Sequence, residues 1–189
     1  MIDSDPDKYL KELQDMLINK TYHTSEYEVF YKNEHGKTRK IYKLTYFPDR
    51  VAQWAILQVI EPYLIKHLIS DTFSAIPDRG IHKGLSRVKK AVQHDVPNCQ
   101  YCLKIDARHY YQSVNHDILK QKYRKMFKDN DLLWILDEII DSINTAEDED
   151  LVSIYLLDED IDPNTGIPIG NYLSQYSGNY YFSDFDHWM

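Results

Sequence analysis

The chain has 189 residues, 43% of them hydrophobic and 28% charged, which suits one large globular domain or two small ones and excludes a disordered or low-complexity protein. A chain of this size buries roughly 70% of its unfolded surface. No apolar run approaches the ~20 residues of a membrane span, and the opening IDSDPDKYLKEL has no signal-peptide core, so the expected compartment is the cytoplasm. A net charge of −8 argues against a nucleic-acid partner until its distribution is read. Residues 32–50 carry six Lys/Arg against two acids, residues 79–128 twelve against three, and residues 129–162 thirteen acids with no Lys or Arg. Separate blocks of opposite sign, rather than their sum, set what a surface attracts, although solvated helix faces give the same pattern.

In chain order, DPDKYLKELQDMLINK places apolar residues at 9, 10, 13, 16 and 17, a helical stripe started by Asp5 and Pro6. EYEVFYK and TRKIYKLTYF are β-rich and joined by NEHG, which reads as a hairpin. DRVAQWAILQVIEPYLIKHL is helical, with Pro62 expected to kink or split it. SDTFSAIPDRG is a loop and IHKGLSRVKKAVQ a basic helix, while YCLKID reads as a short, mostly buried strand. NHDILKQKYRKMF, opened by Asn115 as a cap, and DLLWILDEIIDSI are two further helices. TAEDED and LVSIYLLDEDIDPNTG suggest a loop and a hairpin, and NYLSQYSGNYYFSDFDHW a final helix. Helices and strands mix without a strict βαβ rhythm, so the expected class is α+β, with helices packed on a small antiparallel sheet.

The two cysteines form a C-x-x-C within NCQYCLKID. A redox pair or half a zinc site are the pointed readings. In a strand, however, residues three apart face opposite ways about 10 Å apart, too far for a disulfide, and no second Cys pair completes a zinc finger. Two ordinary thiols is the simpler account.

In YCLKIDARHYYQSV an apolar strand ends in Asp106, with Tyr110 and Tyr111 four and five residues later. An Asp in that position is commonly a turn or cap residue. The segment also resembles the first catalytic motif of reverse transcriptases, in which a strand presents an Asp to two magnesium ions and a following aromatic guards the nucleotide. KTRKIYKLTYFPDRVAQWAILQVIEPYL resembles the fingers of bacterial reverse transcriptases. RGIHKGLSRV, SVNHDIL and GIPIGNYLSQYSGNYYFSDFDHW are similar to later blocks in the family's order, from about residue 37 to residue 188. The I-G-x-x-x-S-Q pattern, Ile169 through Gln175, is most like the diversity-generating retroelement branch. Group II intron and defence-type reverse transcriptases stay open, as does a non-catalytic RNA-binding or RNP-scaffold descendant.

The resemblance implies a right-hand polymerase, with fingers over residues 1–95 and a partial palm over 96–189. The implied activity is RNA-directed DNA synthesis from an RNA template and a DNA or RNA primer, using deoxynucleoside triphosphates, with an accessory protein as a further partner. Two Mg²⁺ ions would clamp the attacking and leaving oxygens about 4 Å apart. Asp106 and the Ala107 carbonyl are the implied metal ligands, with Asp106 the catalytic carboxylate. Lys37 and Arg39 would meet the triphosphate, Tyr111 would lie against the sugar, and Ile169, Gly170 and Gln175 would line the nucleotide site. Arg79, Lys83, Lys89, Lys90, Lys122 and Lys125 are the expected nucleic-acid contacts. Ile169 stands where retroviral enzymes have Gln, so an error-prone parent is expected. Family members carry an Asp-Asp pair downstream; none occurs here, so the chain is expected to be a fragment that is inactive alone.

Overall fold

The computed structural model describes residues 5–34, 36–143 and 164–189, apart from the side chains of Glu34 and Lys37. Helix α1 (Pro6–Ile18) starts where Asp5 accepts a hydrogen bond from the Lys8 amide (3.3 Å) and Pro6 occupies a first-turn position that needs no donor. Strands β1 (Glu28–Glu34) and β2 (Lys37–Lys43) form an antiparallel ribbon in register from Glu28 opposite Lys43 to Glu34 opposite Lys37. Gly36 takes a positive φ of 78° in the connecting turn.

Helix α2 (Val51–His67) runs unbroken through Pro62. The helix is not split at Pro62: Pro62 and Gln58, whose carbonyl loses its partner there, both lie on the exposed side, where the carbonyl is open to solvent. Its other side buries Ala52, Gln53, Ile56, Leu57, Ile60 and Leu64. Helices α3 (Ile81–His94), α4 (His116–Met126) and α5 (Asn130–Asp141) follow, α4 capped by Asn115 accepting from the Ile118 amide (2.9 Å).

The last helix, α6 (Tyr172–Trp188), packs against both α2 and α4, and it is central rather than amphipathic because neighbours cover several of its faces. Leu173, Tyr176 and Tyr180 join the core made by α2, α4 and α5. Its tyrosines keep their hydroxyls satisfied: Tyr180 donates to the Lys122 carbonyl (2.8 Å) and Tyr176 donates to Glu61. Ser177 lies 2.8 Å from the Tyr123 hydroxyl. Burial pushes the Tyr180 hydroxyl up to about 12, so it stays a donor at neutral pH.

The described residues therefore give a mixed α+β fold of six helices and a two-stranded antiparallel sheet. One hydrophobic cluster draws on both halves of the chain, from Leu13 and Ile56 to Leu173 and Tyr180. Helix α3 stands apart, with no buried residue; Ile81, Leu85, Val88 and Val92 form an exposed stripe along it. No described helix is long and apolar enough to cross a membrane.

The expected buried strand at YCLKID is not observed. Residues 101–107 have no strand hydrogen bonding, and Tyr101, Leu103 and Ile105 are all exposed. No described strand lies beside the segment to complete a ladder, and without one neither face of the extended chain is covered. Cys99 and Cys102 are both free. The loop expected at TAEDED, and residues 151–163 of the hairpin expected over LVSIYLLDEDIDPNTG, lie outside the described residues.

Candidate functional site

The GIPIG turn is held from several directions at once. Gly166 and Gly170 take φ values of 113° and 114°, which side chains on an L-residue resist, and Pro168 between them is buried. The Gly166 amide donates to the Val114 carbonyl (2.8 Å) and the Ile167 amide to the Tyr111 carbonyl (2.8 Å). From the other side, the Tyr42 amide of β2 donates to the Ile169 carbonyl (3.0 Å). The buried His116 imidazole donates through Nε2 to the Gly166 carbonyl (2.7 Å), since a carbonyl can only accept. The turn thus joins the hairpin, the Tyr110–Ser113 turn and the start of α4.

Gly170 has little room as well as an unusual φ. A Cβ there would lie 3.1 Å from Ile41 Cγ2 and 3.3 Å from the Tyr42 carbonyl oxygen. Gly170→Ala is expected to cost about 1–3 kcal/mol and to loosen the hairpin from the turn. Thermal melting and hydrogen exchange at the Tyr42 amide measure both effects; unchanged exchange there would show that the contact does not hold the hairpin.

Asp106 and Ala107 are exposed on the rim of a pocket of about 290 Å³ whose far wall is α6, through Gly178, Phe182 and Asp186. Tyr110 forms part of the floor, donating its hydroxyl to the Gly178 carbonyl. Both tyrosines lie against the helix at Gly178, where a Cβ would make ordinary contact with Tyr110 at 3.4 Å and Tyr111 at 3.6 Å. Partial burial raises the Asp186 carboxyl above the usual carboxylate range, opposed by the neighbouring His187. Asp106, Asp186 and the Ala107 carbonyl are hard oxygen donors of the kind magnesium takes through one or two carboxylates while keeping several waters. Among the described residues, no group of three or more His, Cys, Asp or Glu comes together to hold a metal.

Of the expected nucleotide-site residues, Arg39 is exposed on β2 and acts electrostatically on Tyr111. Burial raises the Tyr111 hydroxyl and the Arg39 charge opposes the rise. Ile169 is half-buried and Gly170 exposed in the turn, and Gln175 is exposed one turn into α6. Lys37 opens β2, and its side chain lies outside the described residues.

The basic residues divide into two groups. Lys83, Lys89, Lys90 and Lys125 are exposed. Arg79 donates to the Ile69 carbonyl (2.9 Å), bracing the loop before α3. Lys122 is buried against α6, 2.7 Å from Asp184 and 4.9 Å from the centre of the Tyr180 ring, which corrects its expected place on an open basic surface. Its hydrogen bond holds the Asp184 carboxyl below the usual range. The spacing Leu119, Lys122, Tyr123, Met126 puts Lys122 on the apolar stripe of α4, a signal present in the sequence.

Sequence reasoning also missed Asp186, which reaches the Asp106 pocket because it lies eight residues, about two turns, beyond Gly178 on α6. No protein-family model and no curated protein matches the chain.

Proposed function

We propose that this chain is the fingers and first palm segment of an RNA-directed DNA polymerase, most like the reverse transcriptases of diversity-generating retroelements. The observation that supports it most is convergence. Three motifs read separately in the sequence, the basic hairpin, the Asp106 segment and the GIPIG turn, meet around the N-terminal half of one helix. The contacts are the Tyr42–Ile169 and Tyr111–Ile167 backbone hydrogen bonds and the seating of Tyr110 on Gly178.

In this reading the backbone of the turn, stiffened by Pro168 and opened by Gly170, lies against an incoming deoxynucleotide. Arg39, and Lys37 beside it in sequence, bind the triphosphate as fixed cations. Tyr111 packs against the sugar, and Asp106 supplies negative charge where the transferred phosphate must be neutralised through metal. Magnesium, when bound by Asp106 and the Ala107 carbonyl, would supply Lewis-acid stabilisation of the developing charge. An RNA template and a primer are the nucleic-acid partners, and the exposed lysines of α3 meet their phosphates.

Binding of a labelled RNA–DNA primer–template by the chain tests the nucleic-acid half of this reading. Affinity is expected to fall steeply with salt, and the Lys83→Glu, Lys89→Glu, Lys90→Glu triple variant to weaken it at least tenfold and flatten the salt slope by about 0.7–0.9 per lost phosphate contact. Identical salt titrations for the triple variant and the wild type would make these lysines a solvated face and remove α3 from the interface.

A further inference from the structure

Away from the Asp106 pocket, Tyr46, Arg50, Val51, Trp54 and Tyr172 line a second depression of about 360 Å³. Its three aromatic side chains are far more open than such rings usually are, with Tyr46 62%, Trp54 51% and Tyr172 41% exposed. Trp54 and Tyr172 stand with ring centroids 5.4 Å apart at 59°. The Arg50 guanidinium lies 5.8 Å from the Tyr46 ring centre and 5.6 Å from that of Tyr172, and donates to the Tyr172 hydroxyl (3.2 Å). Arg50 is thereby held in one orientation. None of the five lining residues carries a carboxylate.

We infer that this cluster is a stacking site for an unpaired base of a single-stranded nucleic acid. The surface combines what such a strand asks for: open aromatic faces, which accept any base, and a fixed planar cation that stacks and meets phosphate. Exposed rings with no polar rim of acids would otherwise be an unfavourable patch on a surface. Position supports the same occupant. Tyr172 opens α6, and Gly178, six residues on and roughly 9 Å along the axis, already lines the Asp106 pocket. Six residues at about 100° each leave the two roughly 120° apart around the helix, so a strand on Tyr172 would cross the N-terminal half of α6 to continue towards Asp106. The inference rests on the polymerase reading for the identity of the strand, which would be the template ahead of the site of synthesis; the stacking site itself does not need the chemistry.

The test compares two ligands of equal charge, a twelve-nucleotide oligoadenylate RNA and a twelve-unit abasic sugar–phosphate strand, with affinities measured by fluorescence anisotropy and by quenching of tryptophan emission. The wild-type chain is expected to bind the RNA about five- to a hundredfold more tightly than the abasic strand, with tryptophan quenching. Trp54→Ala and Tyr172→Ala should each shrink that preference. Trp54→Ala should leave abasic binding unchanged, whereas loss of the Tyr172 hydroxyl also frees Arg50, so Tyr172→Ala is compared with Tyr172→Phe and read by the RNA-to-abasic ratio alone. Trp54→Phe should keep the preference and lose most of the quenching, because a phenyl ring still stacks. Equal affinity of the wild type for both strands would overturn the stacking site while leaving the polymerase reading standing, since charge alone would account for binding. RNA binding unchanged in both alanine variants would overturn it as well, and would give the rings to a protein partner. Retained stacking with no contribution from Lys83, Lys89 and Lys90 would instead count against the basic surface proposed for the polymerase and uphold this site.

Discussion

Asp106→Asn is expected to lower primer extension about a thousandfold in the polymerase of which this chain would form the fingers and first palm segment. The substitution keeps the shape of the side chain and removes its charge. A neutral amide binds magnesium poorly, so the cations that would offset the negative charge gathered around the transferring phosphate are held less well. A thousandfold corresponds to roughly 4 kcal/mol of transition-state stabilisation, a reasonable share for a carboxylate facing the metals. The side chain is exposed on the pocket rim, so the fold has little at stake in it. Loss of rate with unchanged melting and unchanged primer–template affinity is thus the expected pattern, read in a single-turnover extension assay. An Asn variant that extends primers at near the wild-type rate would reduce Asp106 to a turn residue and remove the catalytic half of the proposal. A parent that binds RNA but extends no primer, whatever residue stands at 106, would favour an RNA-binding scaffold.

The largest effect on stability is expected at Asp49, which is fully buried and joins residues 22–25 to the 45–49 turn. Its Oδ1 accepts from the Tyr22 hydroxyl (2.9 Å) and the Ser25 amide (3.2 Å), and its Oδ2 accepts from the Thr45 hydroxyl (2.6 Å). Burial, with the Asp49 charge adding to it, raises the Tyr22 hydroxyl well above its usual range, so Tyr22 remains a donor throughout the working pH range. Asp49→Ala strands the buried Tyr22 hydroxyl and the part-buried Ser25 amide, each costing about 1–3 kcal/mol when left without a partner, while the exposed Thr45 hydroxyl keeps the Phe47 carbonyl. Partial rehydration of the Ser25 amide trims the sum to about 2–4 kcal/mol, which lowers the melting temperature by roughly 4–16 °C for a chain of this size. Asp49→Asn should cost far less. Its remaining oxygen can keep Tyr22 and Ser25, and its amide can donate to Thr45, whose own proton goes to the Phe47 carbonyl (3.0 Å). Calorimetry on the two variants decides the matter: an Ala variant as stable as the Asn variant would mean that the network contributes nothing.

What the sequence by itself determined about this protein is its set of local elements, because their signals are carried by residues a few positions apart. Asp5 and Pro6 start α1, Asn115 starts α4, and NEHG turns the hairpin, each through a bond or a dihedral made within four residues. In the Gly-x-Pro-x-Gly stretch, too, the residue types match the local backbone: both glycines take positive φ. Even the burial of Lys122 was legible in principle, since it shares a helical stripe with Leu119 and Tyr123.

Tertiary structure alone decided the rest, because those features depend on residues brought together from far along the chain. Residues 101–107 have the composition of a strand, yet a strand exists only with a partner to bond it, and no described segment provides one. Lys122 needed Asp184 and the Tyr180 ring, about sixty residues away, to make burial of its charge tolerable. The convergence of hairpin, Asp106 segment and turn on α6, the entry of Asp186 into the Asp106 pocket, and the meeting of Tyr46, Arg50 and Trp54 with Tyr172 are all contacts between separate elements. Periodicity and capping say which face of a helix is apolar. They do not say which helix will cover it, because that is settled by how all the faces can be buried at once.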